Sequence, residues 1–208
     1  MSGEHVNAFR VRSPLRMDAP CYTRPMNTAA LALGVLLTFK APAALPGWHE
    51  TAEARAARYA SIAADVGAVV DHACRDRGPG CVRWALGVLL GVAYHESGFR
   101  PDVDAGRCYR GPGHERDCDG GASHSLWQLR AGGEEGAVYD HDRRAAAREA
   151  LRRAGRSWNA CRRNPEAERL AAYAGGRCEP AEARRVSRSL WGSITRAMGA
   201  IDRVRAAE

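Results

Sequence analysis

Cys81-Val82-Arg83-Trp84-Ala85-Leu86-Gly87-Val88-Leu89-Leu90-Gly91-Val92-Ala93-Tyr94-His95-Glu96-Ser97-Gly98 is the stretch that decides the fold. Its apolar residues point in every direction around a helix, so residues 81–96 are predicted to form a central, buried helix. Gly98 is placed to cap its C-terminal end. Glu96 is the one carboxylate in this run and falls at its last turn.

Working outward, Gly78-Pro79-Gly80 turns the chain. Before it, Thr51 is predicted to N-cap a helix reaching about Ala73, with Tyr59, Ile62, Val66 and Val69 or Val70 on one face. After the central helix, residues 100–124 are rich in Gly, Asp and Arg and lack apolar periodicity, which predicts a long loop needing a function or a staple. A short apolar segment follows around Leu126-Trp127. Asp142 or Asp140 can then cap a helix through about Trp158, whose arginine-crowded face reads as solvated surface. A last helix is predicted from Pro180, with Val186, Leu190, Ile194, Met198 and Ile201 as a stripe of core residues.

The chain has 208 residues and is 45% hydrophobic, enough for one ordinary core, and its apolar content is mostly Ala, Val and Leu with only three Phe. That composition suits packed helices rather than sheets, so a mainly α domain with disulfide-stapled loops is expected over residues 44–208. Lys40 is the only lysine, and the net charge of +7 falls to 26 − 22 = +4 once residues 1–43 are set aside. No basic run with interleaved aromatics marks a nucleic-acid surface, whereas a modest positive charge is compatible with anionic cell-wall polymers.

Residues 28–39 form an apolar run followed by Ala41-Pro42-Ala43, a small-x-small pattern suited to signal-peptidase cleavage. Residues 1–43 are therefore expected to be a leader, with translation starting at Met17 or Met26, and an uncleaved anchor is the alternative. The run is too short to span a bilayer comfortably, so no stable membrane insertion is expected after leader removal. Of seven cysteines, Cys21 would be lost with the leader. The remaining six, Cys74, Cys81, Cys108, Cys118, Cys161 and Cys178, are an even number, as expected of an exported periplasmic or extracellular protein. Six cysteines allow 15 connectivities. Pairing of neighbours is the expectation: Cys74 with Cys81, Cys108 with Cys118, Cys161 with Cys178.

Three segments stand out together: Ala93-Tyr94-His95-Glu96-Ser97-Gly98-Phe99, Ser123-His124-Ser125-Leu126-Trp127-Gln128-Leu129, and Leu170-Ala171-Ala172-Tyr173-Ala174-Gly175. Their order and spacing resemble the lytic transglycosylases, in which Glu-Ser-Gly-Phe closes a buried helix, Gly-Leu-Met-Gln follows some 30 residues on, and Ala-Ala-Tyr-Asn-Ala-Gly comes after a further helix. The likeness spans roughly residues 80–180. It implies a lysozyme-like helical domain that cleaves the β-1,4 bond between N-acetylmuramic acid and N-acetylglucosamine in peptidoglycan, as a monomer and without metal or organic cofactor. It further implies that Glu96 is the sole catalytic acid and base, that Ser97 helps orient the reacting group and that Tyr173 steadies Glu96. Ser125, Leu126, Trp127, Gln128 and Phe99 would line the saccharide groove. Three positions depart from the pattern: Ser125 replaces glycine, Trp127 replaces methionine and Ala174 replaces asparagine.

The residues themselves suit that role. A general acid at neutral pH needs a raised carboxyl pKa, which apolar surroundings supply, and the negative end of a helix dipole acts in the same sense. One carboxylate suffices if the muramoyl 6-hydroxyl attacks, whereas a hydrolase generally needs two. Asp102 and Asp104 are candidates for the second carboxylate of a muramidase, or for turn chemistry that orders the loop. Cys108, His114, Cys118 and His124 have spacings compatible with zinc, against which an exported chain with paired cysteines favours a disulfide and no metal. His95 is read as a packed helix residue. A non-catalytic wall-binding module is the remaining class.

Overall fold

A computed structural model describes residues 27–40, 50–107 and 122–207. Among these residues eight α-helices carry the fold: α1 (Thr28–Thr38), α2 (Ala52–Cys74), α3 (Pro79–Ser97), α4 (Pro101–Asp104), α5 (Gly133–His141), α6 (Arg143–Ala160), α7 (Ala171–Gly175) and α8 (Ala181–Ala206). The two strands, β1 (Ser123–His124) and β2 (Leu129–Arg130), form one antiparallel hairpin with Ser123 opposite Arg130 and His124 opposite Leu129. The protein is mainly helical, as its composition predicts.

The caps fall where the sequence places them. The Thr51 hydroxyl accepts from the Ala54 amide, and the Asp142 carboxylate accepts from the Ala145 amide. Asp142, not Asp140, therefore starts α6. Gly98 ends α3 in the left-handed conformation, with φ of 59°. Proline fixes the first turn of α3 at Pro79, two residues earlier than the apolar pattern alone suggests.

α3 is the axis of the core: Ala85 through Ala93 are buried without interruption, and Val88, Leu89, Leu90 and Val92 are at most 1% exposed. α8 lies along it, contributing Leu190, Ile194, Met198 and Ile201 from the expected stripe, with Val186 half-buried. The two backbones nearly touch, because a Cβ on Gly91 would stand 2.5 Å from Ile194 Cα. Arg83 adds a two-pronged bridge from α3 to Asp202 of α8, both N···O distances being 2.8 Å. Trp84, Trp158 and Trp191 meet across α3, α6 and α8, with ring centroids 6.3 and 5.0 Å apart.

Two of the three expected disulfides are formed. Cys74–Cys81 ties the end of α2 to the start of α3, and Cys161–Cys178 joins the chain after α6 to the approach to α8. Cys108 and Cys118 lie outside the described residues. The segment read as a loop, 100–124, contains the single turn of α4 and enters β1 at its end. Within residues 28–39, read as part of a leader, Thr28–Thr38 is helical and packed: Leu31, Ala32, Val35 and Leu36 are at most 1% exposed. No helix among the described residues is long and apolar enough to cross a membrane.

Candidate active site

Glu96 emerges at the last turn of α3, half-buried, and the apolar surroundings push its carboxyl from 4.5 up to about 7. The fold enforces this position through the turn that follows. Gly98 and Phe99 are both left-handed, with φ of 59° and 56°. A phenylalanine stays in that region only when its surroundings hold it there. Two interactions do so. The Ser97 hydroxyl donates to the Ala93 carbonyl at 2.8 Å and accepts from the Phe99 amide at 3.2 Å, and the Phe99 ring is completely buried among Phe39, Tyr59 and Tyr94. Ser97 thus fixes the backbone on which Glu96 stands. His95, beside it, has its pKa lowered by burial.

The β1–β2 turn, residues 125–128, is the second part of the site. Ser125 has φ of 63° and Gln128 of 47°, so both occupy conformations that favour glycine. This accounts for glycine at the Ser125 position in the pattern the chain resembles. Here the serine is held by its hydrogen bonds: its hydroxyl accepts from the Trp127 amide at 3.4 Å, its carbonyl accepts from the Gln128 amide and side chain at 3.1 and 2.9 Å, and its own amide donates to Asp140 at 3.3 Å. The other oxygen of Asp140 meets His124 Nδ1 at 2.8 Å.

Trp127 joins the second and third motif segments to α3. Its indole N–H donates to the Leu89 carbonyl of α3 at 2.8 Å, and its own carbonyl accepts from the Tyr173 hydroxyl at 3.3 Å. Methionine has no such donor, so the tryptophan adds a bond that the pattern's thioether lacks. Tyr173 is placed in turn by Ser157 of α6, whose hydroxyl accepts from its amide at 2.9 Å. Burial, and then the charge of nearby Glu96, raise the Tyr173 hydroxyl pKa, so the phenol stays protonated.

These contacts correct several expected roles. Phe99, Leu126 and Trp127 are at most 1% exposed, so their side chains lie beneath the site and cannot form the surface of a groove. Their apolar bulk was needed for the core. Gln128 spends its amide N–H on the turn itself, while the Tyr173 hydroxyl donates to the Trp127 carbonyl. Ala174, in place of the pattern's asparagine, has no polar side chain, and its amide donates to the Leu170 carbonyl at 3.1 Å.

Both aspartates after α3 are held by arginines. Arg100 grips Asp102, which is fully buried, at 3.1 and 2.6 Å. Arg143 grips Asp104 at 2.9 and 3.1 Å, with Arg58 at 3.9 Å, while also reaching Asp65 at 2.5 Å. A polar cavity of about 290 Å³ is lined by these same Asp65, Asp104 and Arg143 side chains together with Ser125, Tyr139 and Asp140, and Glu96 is not among its lining residues. Its ion pairs mark it as a structural junction between α2, α4 and α6. Among the described residues no three His, Cys, Asp or Glu gather as a metal site; Cys108, His114 and Cys118 of the considered zinc set lie outside them.

Sequence reasoning missed Asp140 and Ser157 as supports of the site. Asp140 was visible only as a rival cap for α6, and its role depends on a hairpin too short to give a strand signal. Comparison with protein-family models, curated proteins and solved structures gives no match to this chain in any of the three, so the site's own geometry must carry the functional reading.

Proposed function

We propose that this protein is a peptidoglycan lytic transglycosylase with a lysozyme-like domain, and that Glu96 is its catalytic acid and base. The observation that carries the reading is a carboxyl held near pH 7 at the end of an apolar helix, with protonated Tyr173 nearby and bonded to the Trp127 carbonyl of the 125–128 turn. At that pKa both protonation states are populated at neutral pH, which suits a single group that must first give and then take a proton. Glu96 protonates the glycosidic oxygen as the bond from muramoyl C1 breaks. The 6-hydroxyl of the same muramoyl sugar then bonds to C1 and gives its proton to Glu96, which leaves a 1,6-anhydro ring and restores the acid.

A hydrolase using a second carboxylate is the poorer fit. Asp102 and Asp104 already have their oxygens engaged by Arg100 and Arg143, and freeing either would break a two-pronged ion pair in a partly buried setting. Two disulfides are compatible with an exported protein working at the wall, and the net charge of 26 − 22 = +4 over residues 44–208 is compatible with an anionic polymer. Glu96→Gln tests the proposal. It should abolish release of soluble fragments from purified peptidoglycan while sparing binding; undiminished release would remove Glu96 from the mechanism.

A further inference from the structure

We propose that α1, with Phe39 at its end, is a permanent helix of the working domain and the rear wall of the turn that carries Glu96, rather than a disposable leader. The apolar run alone does not distinguish these fates, since a leader needs only hydrophobicity. A leader needs no shaped partner. α1 has one.

Its seat on α2 is cut to its backbone. A Cβ on Gly67 would stand 2.9 Å from both the Cα and the N of Ala29, so α1 approaches as closely as it does only because position 67 is glycine. Its start is built as the start of a folded helix: Asn27 accepts from the Ala29 and Ala30 amides at 3.0 and 3.3 Å, and the Thr28 hydroxyl donates to Asp71 of α2. Leu31, Ala32, Val35 and Leu36 then disappear completely into the core, and only Leu37, at 63% exposure, turns a large apolar side chain to the outside.

The far end of α1 reaches the site. Phe39 is 8% exposed and stacks on Tyr94 with centroids 4.5 Å apart and planes 20° apart, and its ring stands 5.6 Å from that of Phe99. Phe99 holds a left-handed backbone directly after the Glu96-Ser97-Gly98 corner, and its ring is kept there by Phe39, Tyr59 and Tyr94. Loss of α1 removes one wall of that cage. Phe39 is therefore a positioning residue: it acts on the reacting group through Phe99 and the turn, without touching substrate. This last step rests on the assignment of Glu96 as the acid, whereas the docking of α1 does not.

Hydrogen exchange on the full, oxidised chain tests the docking. Amides of residues 32–38 should exchange at least a thousandfold more slowly than in an unstructured peptide, in step with those of α3; exchange within tenfold of the unstructured rate would overturn the proposal. The positioning role is tested with Phe39→Ala and Phe39→Tyr. Phe39→Ala should lower the turnover of glycan-strand cleavage about tenfold with little change in half-saturating substrate, and Phe39→Tyr, which keeps the stack on Tyr94, should restore most of it. Unchanged turnover in Phe39→Ala would overturn the rear-wall role. Slow exchange in α1 together with an active Glu96→Gln protein would instead leave the docking standing and refute the catalytic assignment.

Discussion

Glu96→Gln should stabilise the protein at alkaline pH and leave its stability unchanged in acid. The carboxyl sits near 7 in the fold against 4.5 for an ordinary glutamate. Below pH 4.5 the group is protonated whether the chain is folded or not, and contributes nothing. Between 4.5 and 7 the unfolded chain releases its proton while the folded one retains it, so stability falls with rising pH, and above 7 the loss is constant. At 1.36 kcal/mol per tenfold, the full difference corresponds to about 3 kcal/mol. Solvent reaching the half-buried carboxyl screens part of this, so a gain of about 1–3 kcal/mol is expected. Glutamine has nearly the same shape and does not titrate. Urea unfolding of both proteins at pH 4, 5.5, 7 and 8 gives the difference directly, and contributions from every other titrating group cancel in it. A difference that stays flat across this range would refute the claim that burial holds Glu96 protonated.

Other substitutions probe the frame around it. Ser125→Gly should change stability by less than about 1 kcal/mol, since glycine accepts φ of 63° freely, while β-branched Ser125→Val should cost about 2 kcal/mol or more in thermal unfolding. Gly91→Ala forces a Cβ to within 2.5 Å of Ile194 Cα, and urea unfolding should show a loss of about 3 kcal/mol as α3 and α8 separate. Replacing Cys161 and Cys178 by serine opens a link across 17 residues, worth about 3 kcal/mol by chain entropy, against about 2 kcal/mol for the shorter Cys74–Cys81 link; calorimetry of the two double variants should rank them in that order.

Much of the helical frame was legible because local chemistry and tertiary need agree there. Thr51, Gly98 and Asp142 each cap the helix they were expected to cap, and α8 buries four of the five stripe residues. The raised carboxyl pKa of Glu96 was legible for the same reason: an acid closing an otherwise apolar helix has few ways to avoid it. Legibility failed where the deciding partner lies far along the chain. An apolar run of a dozen residues reads alike as leader or core helix until Gly67 and Tyr94 are seen against it. Leu126 and Trp127 read as groove residues because the hairpin is too short to show which side faces inward, and the bond from Trp127 to the Leu89 carbonyl spans 38 residues. Asp102 and Asp104 carried two readings until Arg100 and Arg143 were found holding them.

The most direct test of the catalytic proposal is the mass of the sugar ends produced when the oxidised protein digests purified peptidoglycan. Fragments ending in 1,6-anhydro-muramic acid are predicted, and their formation should stop in Glu96→Gln. Fragments heavier by one water would contradict the account: the attacking oxygen would then be that of water, and a second carboxylate would have to be sought among residues assigned here to ion pairs.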